Sequence, residues 1–185
     1  RLFHLTWDQV PQLVADGLHG LDINPDLVVS AYRRFYPSYS PSDVYFAATT
    51  AGRSWRGAII EDEMRAQSRS PAFAYQVNWA SPLDGGKWGA PHTIDIALAF
   101  GNTAADHRLT GDGPGARAMS AIISDTFISF ARSGVPDNNT IPHWTPYSME
   151  KRETMIFDLP PRMENDPRGA ERKLFARVPF TQFGT

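Results

Sequence analysis

The chain has 185 residues, 42% of them hydrophobic and 21% charged, with a net charge of −2, which is the composition of an ordinary globular domain. Basic residues sit in isolated pairs (Arg33-Arg34, Lys151-Arg152, Arg172-Lys173) with acids nearby, so bulk electrostatics recruits neither nucleic acid nor an anionic membrane. The absence of cysteine excludes disulfides, thiolate metal sites and a cysteine nucleophile, and no apolar run approaches the roughly 20 residues of a membrane-spanning helix.

The opening stretch, RLFHLTWDQV, lacks a basic segment followed by an apolar one and is not a signal peptide. It starts on apolar residues without a methionine, and the expectation is a chain entered mid-domain; the compartment stays undecided. Residues 1–70 read as helices. Asn24 caps a helix with Pro25 at its first position, and PDLVVSAYRRFY continues until Pro37. Ser40-Pro41 repeats the device. The next stretch spaces Val44, Ala47, Ala48, Ala51, Trp55 and Ile59 helically, although Gly52 and Gly57 argue against one unbroken helix.

At PAFAYQVNW the period changes to two, with Phe73, Tyr75 and Val77 alternating against Ala72, Ala74, Gln76 and Asn78, the pattern of a strand with two unlike faces. SPLDGGK is expected to be a flexible loop. From Gly113 a helix carries Met119, Ile122, Ile123, Thr126, Phe127 and Phe130 on one stripe and ends at Gly134 and Pro136. PDNNTIPHWTPY reads as a surface loop, ETMIFDL as a second strand, and the tail from Pro160 shows weak patterning. Helices, strand, loop, helix and strand indicate an α/β chain. Two strands alone make a marginal sheet, so both are expected to be edges that lack neighbours.

The chemistry concentrates in GKWGAPHTIDIALAFGN, residues 86–102. A histidine on the lip of a glycine-rich loop is either a packing residue or a general base, and a base needs a serine in reach and a carboxylate to hold its ring. The strand-to-helix turn that presents such a serine reads G-x-S-x-G. The nearest match, GRSWRG, puts Arg56 where the second glycine belongs, so Ser54 is rejected, and no H-G-G-G stretch for an oxyanion hole occurs. The five histidines, His4, His19, His92, His107 and His143, show no i+3 or i+4 pairing, so no histidine metal site is expected.

The stretch YQVNWASPLDGGKWGAPHTIDIALAFGN resembles the histidine region of the type-B carboxylesterases, the family of cholinesterases and bacterial para-nitrobenzyl esterases. There a strand leads through a variable loop to G-A-x-H-x-x-[DE]-[IL] and then to F-G-N; the matching positions are Gly89, Ala90, His92, Asp95, Ile96, Phe100, Gly101 and Asn102. The helix before FARSGVPDNN, the segment IPHWTPY and the strand ETMIFDL are similar to the elements downstream of the histidine in that family. FAATTAGRSWRGAIIEDEMRAQ fits the helical region upstream of it, with wording that suits bacterial members. The resemblance covers nearly the whole chain and weakens in the last 25 or so residues.

The resemblance implies the C-terminal portion of an α/β-hydrolase fold, mostly helical, with a few strands of a larger mixed sheet. Residues 1–70 would be a helical wall region and 71–185 the late strands, histidine loop and closing helix. It implies a serine carboxylic ester hydrolase in which His92 is the general base, with no metal and no cofactor. Serine, acid and oxyanion glycines would lie upstream, so the chain by itself is expected to be incomplete and inactive. Its partners would be a small-molecule ester and the N-terminal portion of the same protein, with self-association through unpaired edges. Asp95 is expected either to support the site or to act as a helix-favouring carboxylate. Gly85, Gly86 and Gly89 would let the loop turn tightly. Trp79 and Trp88 would flank it and close the pocket, or Trp79 would cap the strand's packing. Tyr32, Phe35, Tyr36, Tyr45 and Phe46 would line the wall or form core. Asn138-Asn139-Thr140 fits a glycosylation triplet that also arises by chance. The rival readings are a catalytically inactive, esterase-like binding domain and an autonomous helical interaction domain.

Overall fold

The computed structural model describes residues 1–68 and 70–180. In chain order the elements are α1 (Val10–Gly17), α2 (Pro25–Phe35), α3 (Pro41–Thr50), a π-helical turn (Ala51–Trp55), α4 (Arg56–Ala66), β1 (Ala74–Val77), a 3-10 turn (Leu83–Gly86), α5 (Ile94–Ala99), α6 (Pro114–Ser133), β2 (Glu153–Phe157), β3 (Arg162–Asn165) and α7 (Gly169–Phe175). Among the described residues these form two compact units, one of Arg1–Met64 with 168–180 and one within Arg65–Pro167.

In the first unit the caps sit where proline follows a polar residue. The Asn24 side chain accepts the N–H groups of Asp26 and Leu27 at 2.8 and 3.1 Å, and Ser40 forms a reciprocal capping box with Asp43, which satisfies otherwise orphaned donors. The long helix expected after Pro41 does continue to Ala66, but a wide turn at Ala51–Trp55 interrupts its hydrogen bonding. Gly52 lies in this turn and is tightly packed: a Cβ there would stand 2.5 Å from Leu18 Cδ2 and 3.1 Å from Phe175 Cε1, so a larger residue would have to displace the tip of Leu18. The turn also shifts the phase of the apolar stripe: α3 buries Val44 and Ala48, whereas α4 buries no residue.

Tyr32 is fully buried among Val10, Val14, Val28 and Phe175, with Phe35, Tyr36 and Tyr45 packed against that cluster. These aromatics are core. Beside them lies a charged group that the sequence does not announce. Glu171 of α7 is 1% exposed, yet it accepts the Tyr32 hydroxyl, the Tyr36 hydroxyl at 2.6 Å, and Arg168 Nε and Nη2 at 2.8 and 2.6 Å. The Arg168 guanidinium also lies 4.3 Å over the Trp55 ring. Four donors offset the cost of burying the carboxylate. Burial, and then Glu171, raise both tyrosine hydroxyls well above their ordinary pKa.

The second unit holds a three-stranded sheet in the order β1-β2-β3. The first pair is parallel, Ala74 opposite Thr154 through Val77 opposite Phe157. The second is antiparallel, Glu153 opposite Asn165 through Ile156 opposite Arg162. This corrects the expectation of two edge strands, since β2 has a neighbour on each side and is buried along its length. The core joins Met155 and Phe157 of β2 to Met119 and Ile123 of α6, with Trp79, Ile94, Leu98 and Trp144. The aromatic face of β1 meets α6, with Phe73 6.0 Å from Phe130 and Tyr75 5.9 Å from Phe127. The segment expected as a surface loop is also corrected. It is irregular, yet Trp144 and Tyr147 are 3% and 4% exposed, because Asp137 takes the Trp144 N–H at 2.7 Å and the Tyr147 N–H bonds Ala72 O at 2.8 Å.

Candidate active site

The chain leaves β1 still tied to the sheet, because the N–H groups of Asn78 and Trp79 both donate to Phe157 O at 2.9 and 3.0 Å. A loop then closes on itself: Ser81 N–H donates to Gly89 O at 2.8 Å and Gly89 N–H to Gly86 O at 3.1 Å. Asp84, Gly85, Gly86 and Gly89 all have positive φ. No neighbour crowds a Cβ at Gly89, so its φ of 55°, and not lack of space, selects glycine. Inside the loop Asp84 Oδ2 accepts the Trp88 indole N–H at 2.8 Å and pairs with Lys87 Nζ at 3.0 Å. Those two contacts, the indole first, hold the Asp84 carboxyl below its ordinary range. The loop expected to be flexible is laced through one carboxylate.

His92 sits on the next turn, in which Ile94 N–H reaches Pro91 O at 3.1 Å. Thr93, the residue after it, has φ 70° and ψ 7°. A β-branched side chain in the left-handed region is a strained choice, and such outliers cluster where a site over-determines the backbone. The His92 side chain is exposed, and among the described residues its ring has no hydrogen-bond partner. The α5 helix comes next and buries Ile94, Ala97 and Leu98 against the second unit's core, which anchors the turn from its C-terminal side.

Asp95 occupies the first turn of α5 and accepts the Tyr75 hydroxyl at 3.0 Å. Burial, and then this carboxylate, push the Tyr75 pKa up to about 12. Sequence reasoning does not single out Tyr75; its only signal there is a position on the aromatic face of the strand. Of the two loop tryptophans, Trp88 is 45% exposed, whereas Trp79 is 8% exposed and belongs to the core with Met119 and Phe157. Ser54 lies in the π-helical turn. The Asn138 amide nitrogen donates to Thr126 Oγ1 and Pro136 O at 3.0 and 3.1 Å, and so is engaged inside the protein. Another histidine, unlike His92, is paired: His143 Nδ1 lies 2.6 Å from Asp137 Oδ2. Among the described residues no three His, Asp or Glu side chains are grouped to hold a metal, and no helix is long and apolar enough to cross a membrane.

The model of the carboxylesterase family matches residues 49–175, more than half of the chain and inclusive of the whole His92 turn. The chain belongs to the carboxylesterase family. Among curated relatives, the para-nitrobenzyl esterase of Bacillus subtilis is 31% identical over 128 residues, covering 65% of this chain and 25% of that protein. The phenmedipham hydrolase of Pseudarthrobacter oxydans is 27% identical over 107 residues, 54% of this chain and 21% of that protein. Among solved structures, a Geobacillus stearothermophilus carboxylesterase superposes with a TM-score of 0.74 at 19% identity, covering 92% of this chain and 35% of that one. A para-nitrobenzyl (PNB) esterase gives 0.65 at 22%, covering 92% and 33%. The architecture is therefore part of an α/β-hydrolase fold. The chain spans a quarter or less of those two relatives and about a third of those structures.

Proposed function

We propose that this carboxylesterase chain supplies the general base, His92, of a serine ester hydrolase whose nucleophile and acid lie in a portion N-terminal to it. The observation that carries the reading is the exposed His92 on a strained turn inside the family match. The name of one relative, para-nitrobenzyl esterase, adds esters of a benzylic alcohol as a candidate substrate class.

In that role His92 takes the serine proton as the hydroxyl attacks the ester carbonyl. It returns the proton to the departing alcohol, then takes one from the water that releases the acid. Asp95 and Tyr75 hold the turn without touching substrate, Gly89 supplies the bend, and Trp88 lies at the edge of the pocket. The sequence contains no G-x-S-x-G, so the chain alone is expected to leave p-nitrophenyl esters intact and to gain activity when the N-terminal portion is added.

The test is His92→Ala in the complete enzyme, where kcat is expected to fall at least about 10³-fold with KM little changed. EDTA should leave turnover intact and a serine-directed organophosphate should abolish it. A near-parental rate for the variant would move the base elsewhere, and an enzyme complete in every portion yet inactive would favour an esterase-like binding domain.

A further inference from the structure

The turn bearing His92 is held differently on its two sides. Downstream, α5 buries Ile94, Ala97 and Leu98. Upstream lies the loop 81–89, whose ends are joined by the bond from Ser81 N–H to Gly89 O at 2.8 Å, with Ser81 1% exposed. Only Ala90 and Pro91 separate that closure from His92, and proline fixes its own φ. Little slack remains, so the conformation of the loop is passed on to the turn.

Within the loop Asp84 and Gly85 are consecutive left-handed residues, at φ 51° and 72°, and Asp84 Oδ2 accepts the Trp88 indole N–H at 2.8 Å. The Lys87 ammonium pairs with the same oxygen at 3.0 Å and stands 5.1 Å from the centre of the Trp88 ring. Both ends of that ion pair are half-exposed, so water screens it. The bond from indole to carboxylate is directional and charge-assisted, and it fixes Trp88 immediately before Gly89, the residue on which the loop closes. On the reading of His92 as the base, we propose that Asp84 is its positioning residue: by holding Trp88 it sets the Gly89 closure and so delivers the imidazole in one orientation. In this role Asp84 touches no reacting atom.

The test compares Asp84→Ala, Trp88→Phe, the double variant and Asp84→Asn in the complete enzyme. Hydrogen exchange over residues 89–94, read by mass spectrometry, is expected to quicken about fivefold or more in Asp84→Ala. For a p-nitrophenyl ester, kcat per organophosphate-titrated site should fall about tenfold while KM stays within about twofold. Trp88→Phe keeps the ring and loses the N–H, so Asp84→Ala should cost little in that background; the comparison cancels the strain of alanine at a left-handed φ, which both backgrounds share. Asp84→Asn keeps the backbone preference and an acceptor for the indole, and should retain most of the protection and of kcat. Unchanged exchange in Asp84→Ala, or an equal cost with and without the indole N–H, would overturn the proposal. A fully active His92→Ala enzyme would remove the base and with it this role for Asp84, whereas an inactive His92→Ala enzyme beside a parental rate for Asp84→Ala would remove the role of Asp84 alone.

Discussion

The Tyr75 hydroxyl stands 3.0 Å from the Asp95 carboxylate, so a bond from β1 to the first turn of α5 closes over the segment that carries His92. Tyr75→Phe removes that bond and leaves Asp95 to solvent. The expected cost is about 1 kcal/mol in urea unfolding, and kcat of the complete enzyme should fall while KM stays. The bond has a pH signature. Burial and Asp95 raise the Tyr75 pKa from 10.0 to about 12, so its contribution is full below pH 10 and is lost as pH rises through about 12. Ultraviolet titration of tyrosinate should show this late group in the parent and its loss in the variant.

Thr93 keeps a left-handed φ of 70° that glycine would adopt without steric cost. Thr93→Gly should therefore stabilise the chain, by about 1 kcal/mol once relief of strain is set against added freedom when unfolded. The complete enzyme should at the same time lose kcat, because a looser turn no longer holds His92 in one orientation. A variant that is both more stable and fully active would show that the strain serves no positioning purpose.

In the first unit, Glu171→Gln leaves the buried Arg168 guanidinium without its counter-charge. Urea denaturation should register a loss of about 3 kcal/mol. The double change Glu171→Leu with Arg168→Met removes both charges but also the acceptor of the Tyr32 and Tyr36 hydroxyls, so only part of that loss should return.

Asp62 carries the opposite pH sign to a salt-bridged carboxylate. Burial, then Glu61 and Glu63, raise its pKa from 3.8 to about 6. The folded state holds this proton more tightly than the unfolded state, so the contribution is full below pH 3.8 and is lost as pH rises through about 6. Asp62→Asn should unfold at higher denaturant than the parent at neutral pH, and the difference should close in acid.

Features legible in the sequence are those that neighbouring residues decide among themselves. Asn24-Pro25 and Ser40-Pro41 mark their helices because a cap is a contact over two or three positions. The stripe from Met119 to Phe130 and the run ETMIFDL announce α6 and β2 by period and burial. The His92 motif is legible for the same reason. β3 is not: RMEN is a polar edge strand in which Met163 alone packs on the core. Nor is Glu171, whose tyrosine partners lie 139 and 135 residues away. The Tyr75–Asp95 bond spans 20 residues between two elements, and no local pattern encodes it. Trp144 sits in a proline-rich segment that looks solvated, and a buried position there depends on Asp137 capping its N–H.

The sheet register also fixes an order of events during folding. Ile156 and Arg162 are partners six positions apart (162 − 156), so β2 and β3 can meet as a hairpin as soon as both have been synthesised. Ala74 and Thr154 are partners 80 positions apart (154 − 74), and the whole His92 turn lies in the interval. Closing that larger loop costs more chain entropy, and non-local pairing slows folding. β1 is therefore expected to dock last, onto a β2 already held by β3, with the turn carrying His92 acquiring its final shape at that step. Pulse-labelled hydrogen exchange should find the Ile156 amide protected well before that of Gln76.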